Sequence, residues 1–137
     1  MKPHQQFLLD TDTCIYLLNG NQQVKDHVAQ VGLISLAVSI ISVGELYFGA
    51  YNSAHVEKNI ARIRAFLSPP GPAILSLSTT AVESFCKYKA ELYSSGLPIG
   101  DMDLLIAGIA KEHDLTVVTN NQAHFQRIPD ITIDNWV

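Results

Sequence analysis

Several features that would set a chain apart from ordinary globular proteins are scarce in these 137 residues. Only two cysteines occur, Cys14 and Cys86, both within apolar periodic segments. A disulfide scaffold is thereby excluded, and both are expected as buried small hydrophobes in a reducing, cytoplasmic setting. The five histidines, at 4, 27, 55, 113 and 124, show no H-E-x-x-H pattern and no tight spacing, so zinc is not expected. Positive charge is short as well. Nine Lys and Arg against thirteen Asp and Glu leave a net −4, so no global field exists to hold a polyanion. The longest uncharged stretch, 27–44, is interrupted by Gln30, Gly32, Ser35, Ser39 and Ser42. It makes a poor membrane span and reads as a buried strand with its flanks. The polar start Lys2-Pro3-His4-Gln5-Gln6 leads into an apolar run of three residues, too short for a secretory leader.

What is present is a strand-helix alternation in a chain expected to form one domain over 1–137, since this length supports one core rather than two. Short apolar runs predict strands at 7–9, 36–40, 73–77, 116–119 and 131–134. A helix is expected over 13–19, with Gly20 at its left-handed C-terminal position. Val43, Leu46, Tyr47, Ala50 and Tyr51 follow i, i+3, i+4, i+7, i+8, and Val56, Ile60, Ile63 and Leu67 mark the next helix. Val82, Phe85, Cys86 and Leu92 or Tyr93 mark a further one, opened by a Thr80-x-x-Glu83 capping box. Met102, Leu105, Ile106, Ile109, Ala110 and His113 mark the last long helix, and the proline-rich 68–72 reads as an ordered loop. Alternation of this kind implies an α/β fold of three layers, α/β/α, around a central, mainly parallel sheet of about five strands.

Reactive groups in such a sheet gather beyond the carboxyl ends of the strands. The polar residues there are mostly acids: Asp10 and Asp12 after the first strand, Glu45 in the helix after the second, and Asp101 and Asp103 opening the last long helix. Thr119-Asn120-Asn121 follow the fourth strand. Each acid also has an ordinary structural explanation. Glu45 completes a Ser42-x-x-Glu45 capping box, Asp101 is a natural N-cap, Asp103 suits the first helical turn, and Asp12 suits the cap of the helix near Thr13. Asp10, ending an apolar strand, has little structural purpose and leans functional. Glu45 lies about 200° from Val43 on a helix of ~3.6 residues per turn, off the apolar stripe and free to face a cleft. Two like charges ~5 Å apart at an effective dielectric near 20 repel by on the order of 3 kcal/mol. Several acids together therefore call for a cation, and oxygen-only ligands favour Mg²⁺, with Mn²⁺ as a substitute.

Four segments carry a family resemblance: Phe7-Leu-Leu-Asp10-Thr-Asp12-Thr-Cys-Ile-Tyr, Ser42-Val-Gly-Glu45-Leu, Pro98-Ile-Gly-Asp101-Met-Asp103-Leu, and Leu115-Thr-Val-Val-Thr119-Asn120-Asn121-Gln-Ala-His-Phe125. Together they resemble the motifs of PIN-domain nucleases, and more narrowly the VapC toxins of bacterial toxin–antitoxin pairs, over nearly the whole chain. The resemblance implies a PIN-like fold and metal-dependent endoribonuclease activity. Asp10, Glu45 and Asp103 match the family's metal-binding and catalytic acids and would hold one or two Mg²⁺, with water as the nucleophile. Thr119 and Asn121 match the fourth motif. Many relatives carry a fourth acid where Asn121 stands, often Pro where Asp101 stands, and commonly Asn where Asp12 stands. Asp12 is thereby expected to orient Asp10, and Asp101 to support the ion through water or, the preferred view, only to cap its helix.

The implied substrate is a structured RNA, with initiator tRNA as one candidate, and the implied partner is a VapB-type antitoxin. A homodimer and no membrane association are expected. Among the local basic residues Lys87, Lys89, Lys111, Arg62, Arg64 and Arg127, the best single choice for a phosphate contact is Arg127, with His124 a second substrate-binding candidate and Phe125 core. Tyr47, Phe48 and Tyr51 exceed one narrow stripe and suggest a dimer or antitoxin surface. Two alternatives compete. Asp10-Thr11-Asp12-Thr13 also resembles the D-x-D-x-T loop of haloacid-dehalogenase-like phosphatases, with Asp10 as nucleophile. Those enzymes want G-D-x-x-x-D, and here the last position is Leu105. The other alternative is a catalytically silent PIN-like or receiver-like interaction module; a receiver would carry a Lys after its last strand, where 134–137 has none.

Overall fold

In the computed structural model, which describes residues 5–137, β1 (Phe7–Leu9), β2 (Leu36–Ser39), β3 (Ala73–Leu75), β4 (Thr116–Val118) and β5 (Ile133–Asp134) form one sheet in the order β3-β2-β1-β4-β5. Every pairing is parallel, with Leu8 opposite both Ala37 and Val117. The start at Lys2 to His4, taken above as too polar for a leader, lies outside the described residues. Parallel neighbours need crossovers, and these are supplied by α1 (Thr11–Leu18), α2 (Gln22–Val31), α3 (Ile40–Tyr51), α4 (Val56–Leu67), α5 (Thr79–Ser94), α6 (Asp101–His113) and the short α7 (Gln122–Phe125).

Side chains alternate across the pleat, so neighbouring strand residues feed two cores. Leu9, Val38 and Val118 pack under α1 to α4 with Cys14, Val24, Leu46, Ala50, Ile60 and Ile63. Leu8, Ala37 and Val117 pack on the other face with Ala81, Tyr88, Leu104, Ile106, Ile109 and Phe125. The three-layer α/β/α expectation is met, and the sheet is wholly parallel. Among the described residues no helix is long and apolar enough to cross a membrane.

Several local expectations are corrected. The stretch 27–44 is not only a strand with flanks: its first five residues belong to α2, which the sequence reading missed. Asn21 caps that helix by accepting from Val24 N at 3.0 Å, and Val24, Val28 and Val31 form its inward row. Valine is a modest helix former, so tertiary packing decides this segment. In α5 the cap is Ser78, accepting from Ala81 N at 3.1 Å, not Thr80. Its inward face is Ala81, Phe85, Tyr88 and Leu92, while Val82 and Cys86 are exposed. Only Cys14 is therefore a buried thiol, with its pKa pushed up by burial. α6 is buried on most of its circumference, from Leu104 through Ile106 to Ala110, yet Met102 at its start and His113 at its end are exposed. Contact with α5 is close enough that a methyl group at Gly108 would collide with the Ala81 carbonyl oxygen. That approach sets the depth of α6, and with it the place of Asp103.

Candidate active site

Asp10 leaves the carboxyl end of β1 and is 4% exposed. It has a structural purpose that the sequence reading denied it. Its Oδ1 accepts from Thr13 N at 2.8 Å, so Asp10, not Asp12, is the N-cap of α1, and that helix starts at Thr11. Burial raises the Asp10 pKa; the Thr119 and Thr13 hydroxyls and the Thr13 N–H pull it part of the way back, and the charge of Asp12 adds to the rise. Thr119 is itself buried and is held by accepting from Asn121 N at 2.8 Å.

Glu45 stands one turn into α3, off the buried Leu46 and Ala50 row, as its helical phase predicts. The proposed capping box is not formed. Ser39 is the cap, accepting from Ser42 N at 3.0 Å, and Glu45 is engaged across the cleft by Thr11, whose Oγ1 donates to Glu45 Oε1. Thr11 Oγ1 also pairs with Ser42 Oγ at 2.9 Å. A single hydroxyl proton directed to a carboxylate is a charge-assisted bond, and it ties α3 to the first turn of α1.

Asp103 lies in the first turn of α6, half-buried, with a pKa raised by burial first. His124 lowers it and the charge of Asp12 raises it. His124 Nδ1 sits 3.5 Å from Asp103 Oδ2 and 2.7 Å from Asn121 Nδ2. Asp101 is not the N-cap of α6, a place held by Gly100. It turns towards α5 in an exposed ion pair with Lys89 at 3.1 Å. Arg127, just after α7, is exposed, whereas Arg62 is occupied with the Leu18 carbonyl, Asn19 and Asn59. Phe125 is fully buried, as expected.

Each of the three acids neighbours the Thr11–Asp12 start of α1. Asp10 precedes it, Glu45 is bonded to Thr11, and Asp103 is near enough to Asp12 to feel its charge. Beside them opens a cleft of about 600 Å³, lined by Thr11, Asp12, Glu45, Phe48 and Met102 among others. Asp12 makes no hydrogen bond to Asp10 among the described residues; it acts on both neighbours through its charge. No Lys or Arg within the described residues pairs with Asp10, Glu45 or Asp103. By donor chemistry the set fits a hard divalent cation: carboxylate oxygens, partly desolvated, with no lysine or arginine to neutralise them. A closed cage is not preformed, however. Among the described residues no three His, Cys, Asp or Glu side chains converge closely enough to hold an ion as they stand.

Comparison with known proteins accounts for this arrangement. The PIN domain family model matches residues 7–131. The tRNA(fMet)-specific endonuclease VapC of Salmonella typhimurium is 35% identical over 131 residues, covering 96% of this chain and 98% of that protein. Ribonuclease VapC2 of Rickettsia felis is 33% identical over 134 residues, covering 95% and 97%. A chain in the crystal structure of DNA-bound VapBC from Salmonella typhimurium superposes with a TM-score of 0.90 at 34% identity, covering 97% of this chain and 99% of that one. The family match over residues 7–131 and these relatives favour the nuclease reading over the phosphatase alternative. The buried Asp10, the Thr11-held Glu45 and the helix-start Asp103 are arranged on the frame that these ribonucleases share, and the chain belongs to the PIN-domain family, among its VapC ribonucleases.

Proposed function

We infer that this chain is an endoribonuclease toxin that hydrolyses RNA phosphodiester bonds with a divalent cation and is silenced by a VapB-type antitoxin. VapC nucleases of the PIN family depend in general on a divalent metal. For this chain the proposed ion is Mg²⁺, with Mn²⁺ as a substitute. The observation that carries the proposal is the placement of Asp10, Glu45 and Asp103 about the first turn of α1 with no lysine or arginine paired to any of them among the described residues.

Asp10, Glu45 and Asp103 would hold the cation. When bound, it supplies Lewis acidity, acidifies water and neutralises charge developing on the phosphate. The side chains position rather than attack. Thr11 orients Glu45, Thr119 steadies Asp10 and is steadied by Asn121, and Asp12 deepens the negative potential that draws the cation. Asp101 is turned to Lys89 in an exposed pair and supports Asp103 only through the helix they share. Arg127, exposed beyond α7, contacts a phosphate of the substrate. A chain of net charge −4 then needs no global basicity, because the cation meets the scissile phosphate locally.

The Salmonella relative is named for tRNA(fMet), which makes initiator tRNA the first substrate to try. Its solved relatives are VapBC complexes, and the exposed Phe48 and Tyr51 of α3 give an antitoxin, or the second copy in a homodimer, an apolar surface. The chain would act as one domain in the cytoplasm, where its RNA is. The test is cleavage of tRNA by the full chain purified free of antitoxin. Cutting that stops with chelator, is restored by Mg²⁺ and falls at least 100-fold in Asp103→Asn supports the proposal, on the scale of losing a group that stabilises the transition state. Equal cutting by a folded Asp103→Asn would refute it, and no cutting by the parent on any RNA would favour a silent module.

A further inference from the structure

Three helices bring an exposed apolar side chain to the cleft beside the acids, and the core uses none of them. Ile15 of α1, Phe48 of α3 and Met102 of α6 are 42%, 70% and 51% exposed, and all three line the cleft of about 600 Å³ that Asp12 and Glu45 also line. Each stands beside an acid of its own helix: Ile15 is three residues after Asp12, Phe48 three after Glu45, and Met102 next to Asp103. Residues three apart on a helix are neighbours, with Cβ atoms ~5–6 Å apart. A long helical side chain leans towards the helix start, which for Phe48 is towards Glu45. The surface beside the ring is bare as well. Gly44, one turn before Phe48, lines the same cleft, and a Cβ added there would meet nothing within 4 Å. The ring of Phe48 and the open backbone at Gly44 therefore bound one slot.

This lining selects which part of a substrate fits. No lysine or arginine lines the cleft, so a phosphate there would find two carboxylates and no counter-charge. The uncharged part of a nucleotide is its base, whose flat faces stack on aromatic rings and whose edges pack on aliphatic side chains. Base and phosphate of one nucleotide are offset by on the order of one helical turn, ~5.4 Å. A phosphate held at the acids through the cation thus leaves its base within reach of Phe48. In a duplex every base is already stacked and paired, so an unpaired nucleotide is what can supply one.

We propose that Phe48, flanked by Ile15 and Met102, forms a subsite that stacks the unpaired base of the nucleotide at the scissile phosphate, and so directs the chain to single-stranded segments of RNA. This deepens the nuclease assignment above and rests on it. Tyr51, further along α3, lines a separate hollow with Val56 and Arg64 and is not part of the subsite. A partner protein that covers Phe48 excludes the base, so silencing and substrate binding compete for one ring.

The full chain, free of antitoxin, is titrated in CaCl₂ into a short oligouridylate carrying one 2-aminopurine, a base whose fluorescence falls when it stacks. Ca²⁺ is a hard cation for the carboxylates and stands in for Mg²⁺ so that the strand is bound rather than cut. The parent should quench the probe. Phe48→Ala should lose the quenching and weaken binding by roughly 10-fold or more, whereas Phe48→Tyr and Tyr51→Ala should keep both. Gly44→Leu, which fills the slot and leaves the ring in place, should behave as Phe48→Ala does, and it decides alone should Phe48→Ala not fold. Quenching that survives in Phe48→Ala, or duplex RNA that competes with the probe as well as a single strand does, overturns the proposal. Quenching that survives in Gly44→Leu while Phe48→Ala breaks a dimer in sedimentation assigns the ring to a second copy, and also overturns it. A parent that cuts RNA in the assay above but does not bind or quench the probe overturns the subsite and leaves the nuclease assignment standing. A parent that neither binds the probe nor cuts overturns both.

Discussion

Asp10 has two separable jobs, and two substitutions pull them apart. Its carboxylate caps α1 through Thr13 N, and it carries a charge that burial disfavours. Asn caps about as well as Asp, and its amide can donate to Thr119 Oγ1, which accepts from Asn121 N and keeps a second lone pair. Asp10→Asn therefore removes the charge and keeps the cap, whereas Asp10→Ala removes both. The two variants should differ by at least the cap, about 1–2 kcal/mol, or roughly 4–7 °C in Tm for a domain of this size, and further by the bond to Thr119 that Ala also loses. The comparison with the parent turns on sign. Because the folded-state pKa is raised, the native state binds more protons than the unfolded chain between pH 3.8 and the folded value, so stability falls as pH rises through that window. Asp103, raised for the same reason, adds to the fall. In chelator at neutral pH, Asp10→Asn should thus melt at or above the parent and lose the parent's downward slope from Asp10 above pH 4. Thermal melts in chelator across pH 4 to 7.5, repeated with Mn²⁺, read all of this. Mn²⁺ should raise the Tm of the parent and not of Asp10→Asn, with a stabilisation of about 2.7 kcal/mol expected at 100 times the Kd. An Asn variant that melts as low as Ala in chelator, or that Mn²⁺ stabilises as fully as the parent, would refute this division of roles.

Two further outcomes test how neighbouring elements place the acids. Thr11→Val removes the hydroxyl that holds Glu45 while keeping its volume, and the loss of one hydrogen bond to a charged group, about 1.5–3 kcal/mol, should lower Tm by roughly 5–10 °C and, with Glu45 no longer held, slow RNA cleavage at a temperature where the variant is folded; melts and single-turnover rates check it, and an unchanged rate means that Glu45 is placed by α3 alone. Gly108→Ala drives a methyl into the Ala81 carbonyl and should cost roughly 2–3 kcal/mol by overpacking, read by urea unfolding; an unchanged midpoint means that α5 and α6 are not held at that depth.

Most of the sheet was legible because its strands are short apolar runs at the ends of which the pattern changes sharply, as at Leu9 to Asp10 and Val118 to Thr119. The strand bounds were read slightly long, at 40, at 76–77, at 119 and at 131–132, where apolar or hydroxyl residues suited to a strand extend beyond the ladder pairs at one end. The caps were legible only as a class. Ser39 rather than Ser42, Ser78 rather than Thr80, and Asp10 rather than Asp12 close the helices. In each case a hydroxyl or carboxylate two or three residues earlier competes for the same role, and backbone geometry chooses between them. Phase failed in α5 because Val82 and Cys86 are as apolar as the residues that truly face inward. α2 was missed because its row is three valines among polar residues, a signal that packing against Leu9 and Leu36 completes but sequence does not. The contact of His124 with Asp103 could not be read at all: 21 positions separate them, and no spacing rule relates a helix start to a turn after a different strand.

The electrostatics of the site give the chain's acidity a purpose that composition alone does not. Asp10 and Asp103 both hold their protons more tightly than free carboxyls do, and for both the leading cause is burial rather than a hydrogen-bonding partner. The fold therefore carries an energetic cost in its apo form at neutral pH, and it spends neither lysine nor arginine on relieving it. A basic partner there would stabilise the empty site and compete with the cation for the same oxygens. Leaving the carboxylates unpaired makes cation binding and folding stability favour each other, since whatever binds the native state alone also stabilises it. A cation bound there would also offset part of the local negative potential, so that a phosphodiester would be repelled less by the loaded cleft than by the empty one and would find a cation to meet its oxygen. On that account RNA affinity should rise with divalent cation even in a variant that binds the ion but does not cut, a dependence opposite to the loss of affinity that salt imposes on proteins held to RNA by basic surfaces.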